Sequence, residues 1–250
     1  MEKIVIIHEP TSEKPFLIIS KPKGLPSAPL SNNDFKNAFS QAAEIFPQLL
    51  QVQGKKEIEH GLIHRLDTAT DGLIIIAAAQ ECYDYLMNEQ REGRIIKNYS
   101  AECDIIPDNA STLQGFPNEV PKLTNVSSFF RPYGEGRKEV RPVTEKSGKA
   151  AISKLGSRKV YTTKIEISKL SDKTAKAICQ ISEGYRHQVR CHLAWAGYPV
   201  CGDSLYNSKV IKESLGKKNA ENQLKFSATK IEFEYPRGDL NSYDRKDTWT

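Results

Sequence analysis

The apolar run from Leu73 to Ala79 constrains this chain more than any other stretch. It begins directly after Gly72 and stops at the polar Gln80, so it reads as a buried strand entered through a sharp reversal. The reversal is Ile63-His64-Arg65-Leu66-Asp67-Thr68-Ala69-Thr70-Asp71-Gly72, a polar turn that carries an Asp with an Arg two residues before it. A strand fixes the position of a carboxylate on the turn that feeds it, which suits chemistry. Asp is also a common turn residue, and from this segment alone Asp67 and Asp71 read first as turn formers.

The 250 residues suffice for one large domain with a real core, and 38% hydrophobic with 27% charged content is that of a soluble globular chain. No apolar run approaches the roughly 20 residues of a membrane span. The N-terminal Met1 to His8 alternates as a strand does and lacks a signal-peptide cleavage site, so a cytoplasmic protein without membrane attachment is expected. The five cysteines, Cys82, Cys103, Cys179, Cys191 and Cys201, contain no Cys-x-x-Cys pair and read as small buried hydrophobes. His60 and His64 are four apart, but Gly61 argues against a helix between them and no third ligand lies nearby, so no metal site is expected. The net charge of +5 is uneven: from Arg137 to Lys169 ten Lys or Arg face three Glu, a net of +7. A basic segment of this size suits a polyanion such as RNA, although a charge run is commonly only a solvated face.

Taken in order, strands are expected at Met1 to His8 and Pro15 to Ser20. A stiff Lys21-Pro22-Lys23-Gly24-Leu25-Pro26 turn follows, and then a helix from Asn33-Asp34 to Phe46. After the buried strand come a helix over Gln80 to Glu92 capped by Gly93, and a strand over Arg94 to Ile106 on which Lys97, Tyr99 and Ala101 share a face. Further strands are expected within Val120 to Tyr133, at Ala150 to Leu155, and as a hairpin of Tyr161 to Leu170 with Lys173 to Ser182. A helix over His187 to Ala196 stops at Gly197; His187 and His192 do not share a helix face and read as hydrogen-bonded structural residues. Ser208 to Asn222 reads as a surface excursion. Leu224 to Tyr235 alternates with a register break near Thr229-Lys230, and the polar tail Pro236 to Thr250 reads as loose. Too few helices separate the strands for a doubly wound parallel sheet.

Three segments occur in order: His64-Arg65-Leu66-Asp67-x-x-Thr70-x-Gly72, Lys97-x-Tyr99-x-Ala101, and Gly184-x-x-His187-Gln188-Val189-Arg190-x-His192-Leu193. Lys21-Pro22-x-Gly24 precedes them and Gly202-Asp203-x-Leu205-Tyr206 follows. In this order and spacing, from about Phe16 to Tyr235, the chain resembles the RluA-type RNA pseudouridine synthases. The resemblance implies an α+β fold with a central, mostly antiparallel mixed sheet flanked by helices and loops. It implies one catalytic domain over residues 1–250, with a core at about 16–235 and a tail at 236–250. A catalytic domain without the S4-like N-terminal RNA-binding domain of many relatives is expected, which makes the basic segment, with Arg137, Lys138 and Arg141, the leading candidate for RNA affinity.

The activity implied is isomerisation of uridine to pseudouridine in structured RNA, rRNA or tRNA, by a monomer that uses no cofactor and no metal. Asp67 is then the catalytic carboxylate, either attacking C1′ of the ribose or removing the C2′ proton. Arg190 matches the arginine that pairs with that Asp, and Tyr99 the tyrosine that stacks on the base and helps remove the C5 proton. Arg65 matches a residue that enters the RNA stack vacated by the flipped-out uridine. His64, Lys21, Lys97, Arg186, His187 and Gln188 are expected to bind substrate. The chain departs from the family pattern at Asp71, where relatives usually carry Ser, and at Tyr185-Arg186, where they carry Arg-Thr. Two other readings compete. A non-catalytic RNA-binding protein or RNA chaperone would not need Asp67, Tyr99 and Arg190 together. A hydrolase built on Asp67 and Asp71 lacks a metal cluster and a phosphate-cradling loop.

Overall fold

The computed structural model describes residues 2–31, 33–106, 113–119, 121–208, 211 and 223–245. It forms two compact units, Met1–Asn98 with Ser227–Thr250, and Tyr99–Phe226.

The first unit is a sheet of β1 (Val5–His8), β2 (Phe16–Lys21), β3 (Asp71–Ala77), β9 (Phe226–Glu234) and β10 (Leu240–Asp244), with β9 lying beside β3. β2 and β3 are antiparallel with Phe16 opposite Ala77 and Lys21 opposite Gly72, whereas β3 and β9 are parallel. Every residue of β2 and β3 is buried, as expected for apolar runs covered on both faces. Helix α2 (Gln80–Arg91) buries Cys82, Tyr83 and Leu86 against a core that includes Phe16, Ile18, Leu73, Ile75, Ile231 and Phe233. Helix α1 (Ala38–Ile45) starts later than the Asn33-Asp34 signal implied. Its N-cap is Asn37, whose side chain accepts the Ser40 N–H at 2.8 Å.

Strand β4 (Ile96–Asp104) runs from the first unit into the second, and alternation buries Lys97, Tyr99, Ala101 and Cys103 on one face. The second unit continues with β5 (Asn125–Tyr133), β6 (Glu139–Val143), α3 (Lys149–Ile152), β7 (Tyr161–Lys169), β8 (Thr174–Ile181) and α4 (Gln188–Trp195), its strands ordered β4-β8-β7-β5-β6. β7 and β8 are the expected hairpin, closed by the Ser171 turn. Helix α4 is buried on every side, more completely than its Val189-Leu193-Ala196 stripe suggested.

Two expectations fail, and one strand is unforeseen. Ala150 to Leu155 is not a strand: after Gly148, Lys149 to Ile152 form one turn of helix, for which Ala is the best former. The strand in that region is β6, unforeseen because it contains Pro142. As the last strand in the order, β6 tolerates a residue that cannot donate to a ladder. The tail is not loose up to Asp244, since β10 pairs with β9 along its full length. Most of the expected 208–222 excursion, and residues 246–250 of the tail, lie outside the described residues. No helix among the described residues is long and apolar enough to cross a membrane.

Candidate active site

In the first unit, the turn that carries Asp67 is held on both sides of that residue. The Ser27 hydroxyl donates to the Leu66 carbonyl at 2.7 Å and accepts the Leu66 N–H at 3.0 Å. The Thr68 carbonyl accepts from Gly24 N–H at 2.8 Å and from Lys21 Nζ at 3.3 Å, and the Thr70 N–H closes onto the Asp67 carbonyl at 3.0 Å. Gly72 then enters β3 at φ +124°, and a Cβ there would lie 2.1 Å from the Ala228 carbonyl oxygen of β9. Only glycine permits that close approach of two backbones. Asp67 itself is half-buried at the crest.

Lys21, expected to bind substrate, is wholly buried, and its ammonium donates to the carbonyls of Pro22 (2.9 Å), Leu25 (2.7 Å) and Thr68. An ammonium has three protons, so these bonds commit it to bracing the turn. Burial lowers its pKa to about 8, opposed by the nearby carboxylates of Asp71 and Asp67. His64 is held well below its usual pKa by burial and then by the charge of Lys97; its Nε2 receives the Ile75 N–H at 3.4 Å, as a neutral ring can. Lys97 is buried and donates to Gln90 Oε1 at 3.0 Å. Arg65 is exposed and paired with Glu59 at 2.9 Å.

In the second unit, Arg190 sits in the first turn of α4 and is buried. Asp203 grips it through two bonds of 2.8 Å, Nε to one carboxylate oxygen and Nη2 to the other. Asp203 also accepts the N–H groups of Leu205 (2.9 Å) and Tyr206 (3.1 Å), and the Arg190 guanidinium lies 5.4 Å from the centre of the Tyr206 ring. Such a fork-to-fork pair fixes the plane of a guanidinium as a lysine could not. Helix α4 is in turn pinned to the sheet. Gln188 donates to the Thr162 carbonyl and the Thr163 hydroxyl, and its Oε1 accepts the Tyr185 N–H. His192 bridges the hydroxyls of Ser128 (3.0 Å) and Thr163 (2.8 Å), and burial lowers its pKa to about 3. Gln188 and His192 are thus structural in their contacts, and His187, the left-handed residue that starts the helix, has its Nδ1 3.0 Å from the Tyr206 hydroxyl. Tyr99, on β4, is buried and stacked on Phe226, with ring centroids 5.2 Å apart and planes 8° from parallel.

Arg186, expected to bind substrate, donates to the carbonyls of Arg137 and Glu139, while its neighbour Tyr185 stacks on Phe130 at 5.0 Å. The pair tethers the loop that displays Arg137 and Lys138, both exposed. Of the ten cations in the basic segment, Arg141 departs from expectation. It is buried, paired with Glu139 at 2.7 Å, bonded to the Gln114 carbonyl, and 4.3 Å from the centre of the Tyr133 ring. The other nine are exposed.

Residues 15–195 match the family model described as RNA pseudouridylate synthase. The chain belongs to this family. Among its relatives, the tRNA pseudouridine(31) synthase of Saccharomyces cerevisiae is 27% identical over 207 residues, 80% of this chain and 46% of that protein. The ribosomal large subunit pseudouridine synthase D of Haemophilus ducreyi is 26% identical over 204 residues, 82% of this chain and 53% of that protein. The chain therefore spans about half the length of the curated relatives it matches. The structure of human RNA pseudouridylate synthase domain containing 1 superposes with a TM-score of 0.64 at 18% identity, covering 100% of this chain and 85% of the other, which establishes the pseudouridine synthase fold.

The groups that hold the candidate residues carry little signal in the sequence. Asp203 was visible inside Gly202-Asp203-x-Leu205-Tyr206, but nothing in one dimension shows that it receives Arg190. Ser27 and Glu59 carried no signal at all.

Proposed function

We propose that this protein isomerises uridine to pseudouridine in structured RNA, with Asp67 as the reacting carboxylate. The observation that carries the proposal is the anchoring of the turn at Leu66, Thr68 and Thr70, which leaves a half-buried Asp67 on a backbone with little freedom. Holding a reacting group in one geometry removes orientational entropy from the barrier. The reaction is internally balanced: the bond from C1′ to N1 breaks, one from C1′ to C5 forms, and the proton lost from C5 is matched by one gained at nitrogen. Tyr99, braced by Phe226, is the proposed base-stacking residue and aid to C5 deprotonation. Arg190, held by Asp203, is the guanidinium that family resemblance assigns to the carboxylate.

The names of the relatives support RNA as the partner, with tRNA and rRNA both represented. The nine exposed cations of the basic segment supply a surface for the phosphate backbone. A cytoplasmic location accords with the burial of the Cys82, Cys103, Cys179 and Cys191 thiols as small hydrophobes.

Pseudouridine mapping of total RNA from cells with and without the gene tests this function. Loss of defined sites, restored by the wild type and not by Asp67→Asn, is the expected outcome. Restoration by Asp67→Asn would contradict the assignment, and inactivity of the purified protein on those RNAs would favour a binding role.

A further inference from the structure

Asp71 places a second carboxylate four residues beyond Asp67, at the mouth of β3, with only 9% of its side chain exposed. Both carboxylates act on the same buried cation, Lys21, which braces the turn. An uncompensated charge here would repel the Asp67 carboxylate and pull Lys21 from its carbonyls.

Three groups face Asp71 besides Lys21. The Ser227 hydroxyl of β9 donates to Oδ1 at 2.6 Å, Lys23 lies 4.0 Å from the same oxygen, and Arg245 Nη1 donates to Oδ2. Arg245 comes from the far end of the described chain. The full pairing of β10 with β9 delivers it, and its own N–H is fixed on the Thr229 carbonyl at 2.8 Å. Its side chain is 20% exposed, so the pair is largely shielded from solvent and weakly screened by salt.

We propose that Arg245 is a positioning residue for the Asp67 turn, acting through Asp71, whose charge it cancels beside the reacting carboxylate. The proposal rests on Asp67 being that carboxylate. It makes β10 a working part of the site rather than an edge strand that merely closes a sheet.

A double-mutant cycle tests it, with total RNA from cells lacking the gene as the probe and pseudouridine formation followed in enzyme excess. Rates and RNA affinity are measured well below each variant's thermal midpoint. Arg245→Gln is expected to slow the single-turnover rate about tenfold, with RNA affinity held within about twofold. In an Asp71→Ser background the same substitution is expected to cost less than about twofold, because no carboxylate remains to compensate. Arg245→Lys, which keeps the charge, is expected to stay within about threefold of the wild type. Equal slowing by Arg245→Gln in both backgrounds, no slowing in either, or a matched loss of RNA affinity would overturn the proposal. If Arg245→Gln alone does not fold, the comparison within the Asp71→Ser background and the Arg245→Lys rate decide. Asp67→Asn, run alongside, separates the two ideas. Turnover by Asp67→Asn refutes the site itself, whereas its inactivity beside normal Arg245 variants refutes only the role of Arg245.

Discussion

Removing the carboxylate of Asp203 takes two charge-assisted bonds from the buried Arg190 guanidinium. The side chains of Arg190 and Asp203 are 6% and 0% exposed, and two charge-assisted bonds of 2.8 Å join them. Breaking one side of such a buried pair costs about 3–5 kcal/mol. Against a total stability of roughly 5–15 kcal/mol, that is a large share. For a chain of this size it corresponds to a fall of about 10 °C in thermal midpoint. Asp203→Ala is therefore expected to lower the thermal midpoint by that amount and the unfolding free energy from urea titration by about 3–5 kcal/mol. Replacing both partners with apolar residues of similar volume, Arg190→Met with Asp203→Leu, is expected to recover most of the loss, since both charges of this pair are then gone. If the proposed function holds, the stable double variant will still be inactive, which separates the structural value of the pair from its chemical one. A cost below about 1 kcal/mol for Asp203→Ala would refute the reasoning, because the two bonds from Arg190 would then contribute almost nothing.

Gly72→Ala is expected to abolish the folded state or shift β3, since a Cβ would stand 2.1 Å from the Ala228 carbonyl oxygen of the paired strand; protein yield and circular dichroism check this. His192, neutral in the fold down to about pH 3 but free to protonate near 6.5 when unfolded, makes acid destabilising: between those values the unfolded chain binds more protons. Its contribution is complete above pH 6.5 and falls away toward pH 3, by up to about 5 kcal/mol, so the slope of urea midpoint against pH should flatten in His192→Gln. Charge reversal at the exposed Arg137 and Lys138 is expected to weaken RNA binding and reduce its salt dependence by about two counterions, as read from affinity at several salt concentrations. The same reversal at Arg141 should instead unfold the region around Glu139.

Where periodicity carries the information, the fold was legible in the chain. The unbroken apolar runs of β2 and β3, the alternation of β4 and the stop at Gly197 each follow from local chemistry. In β9 the burial passes from the continuous Phe226-Ser227-Ala228 to an alternation that buries Ile231 and Phe233, while its pairing with β10 runs without a shift from Lys230 to Glu234. What failed depended on distant partners. Pro142 signals a break until its strand is known to lie at an edge, and Arg141 counts as a surface cation until Glu139 and Gln114 are found around it. The polar tail looked loose because β10 is held by pairing to β9 and by Asn241, whose amide donates to the Tyr235 carbonyl, not by an apolar stripe of its own. In the candidate site, Asp67, Tyr99 and Arg190 lie in the segments that carry the family resemblance. The groups that hold them, Ser27 on Leu66 and Asp203 on Arg190, become visible only in three dimensions.

The most direct test of the central claim uses purified protein and RNA whose uridines carry tritium at C5. Forming the bond from C1′ to C5 must release that label to water, so release reports the isomerisation itself. The wild type is expected to release tritium in single turnover from RNA that lacks its modification. Asp67→Asn, folded and still binding RNA, should be slower by at least about a thousandfold, the scale for removing a reacting group. Release by Asp67→Asn within tenfold of the wild type would contradict the account.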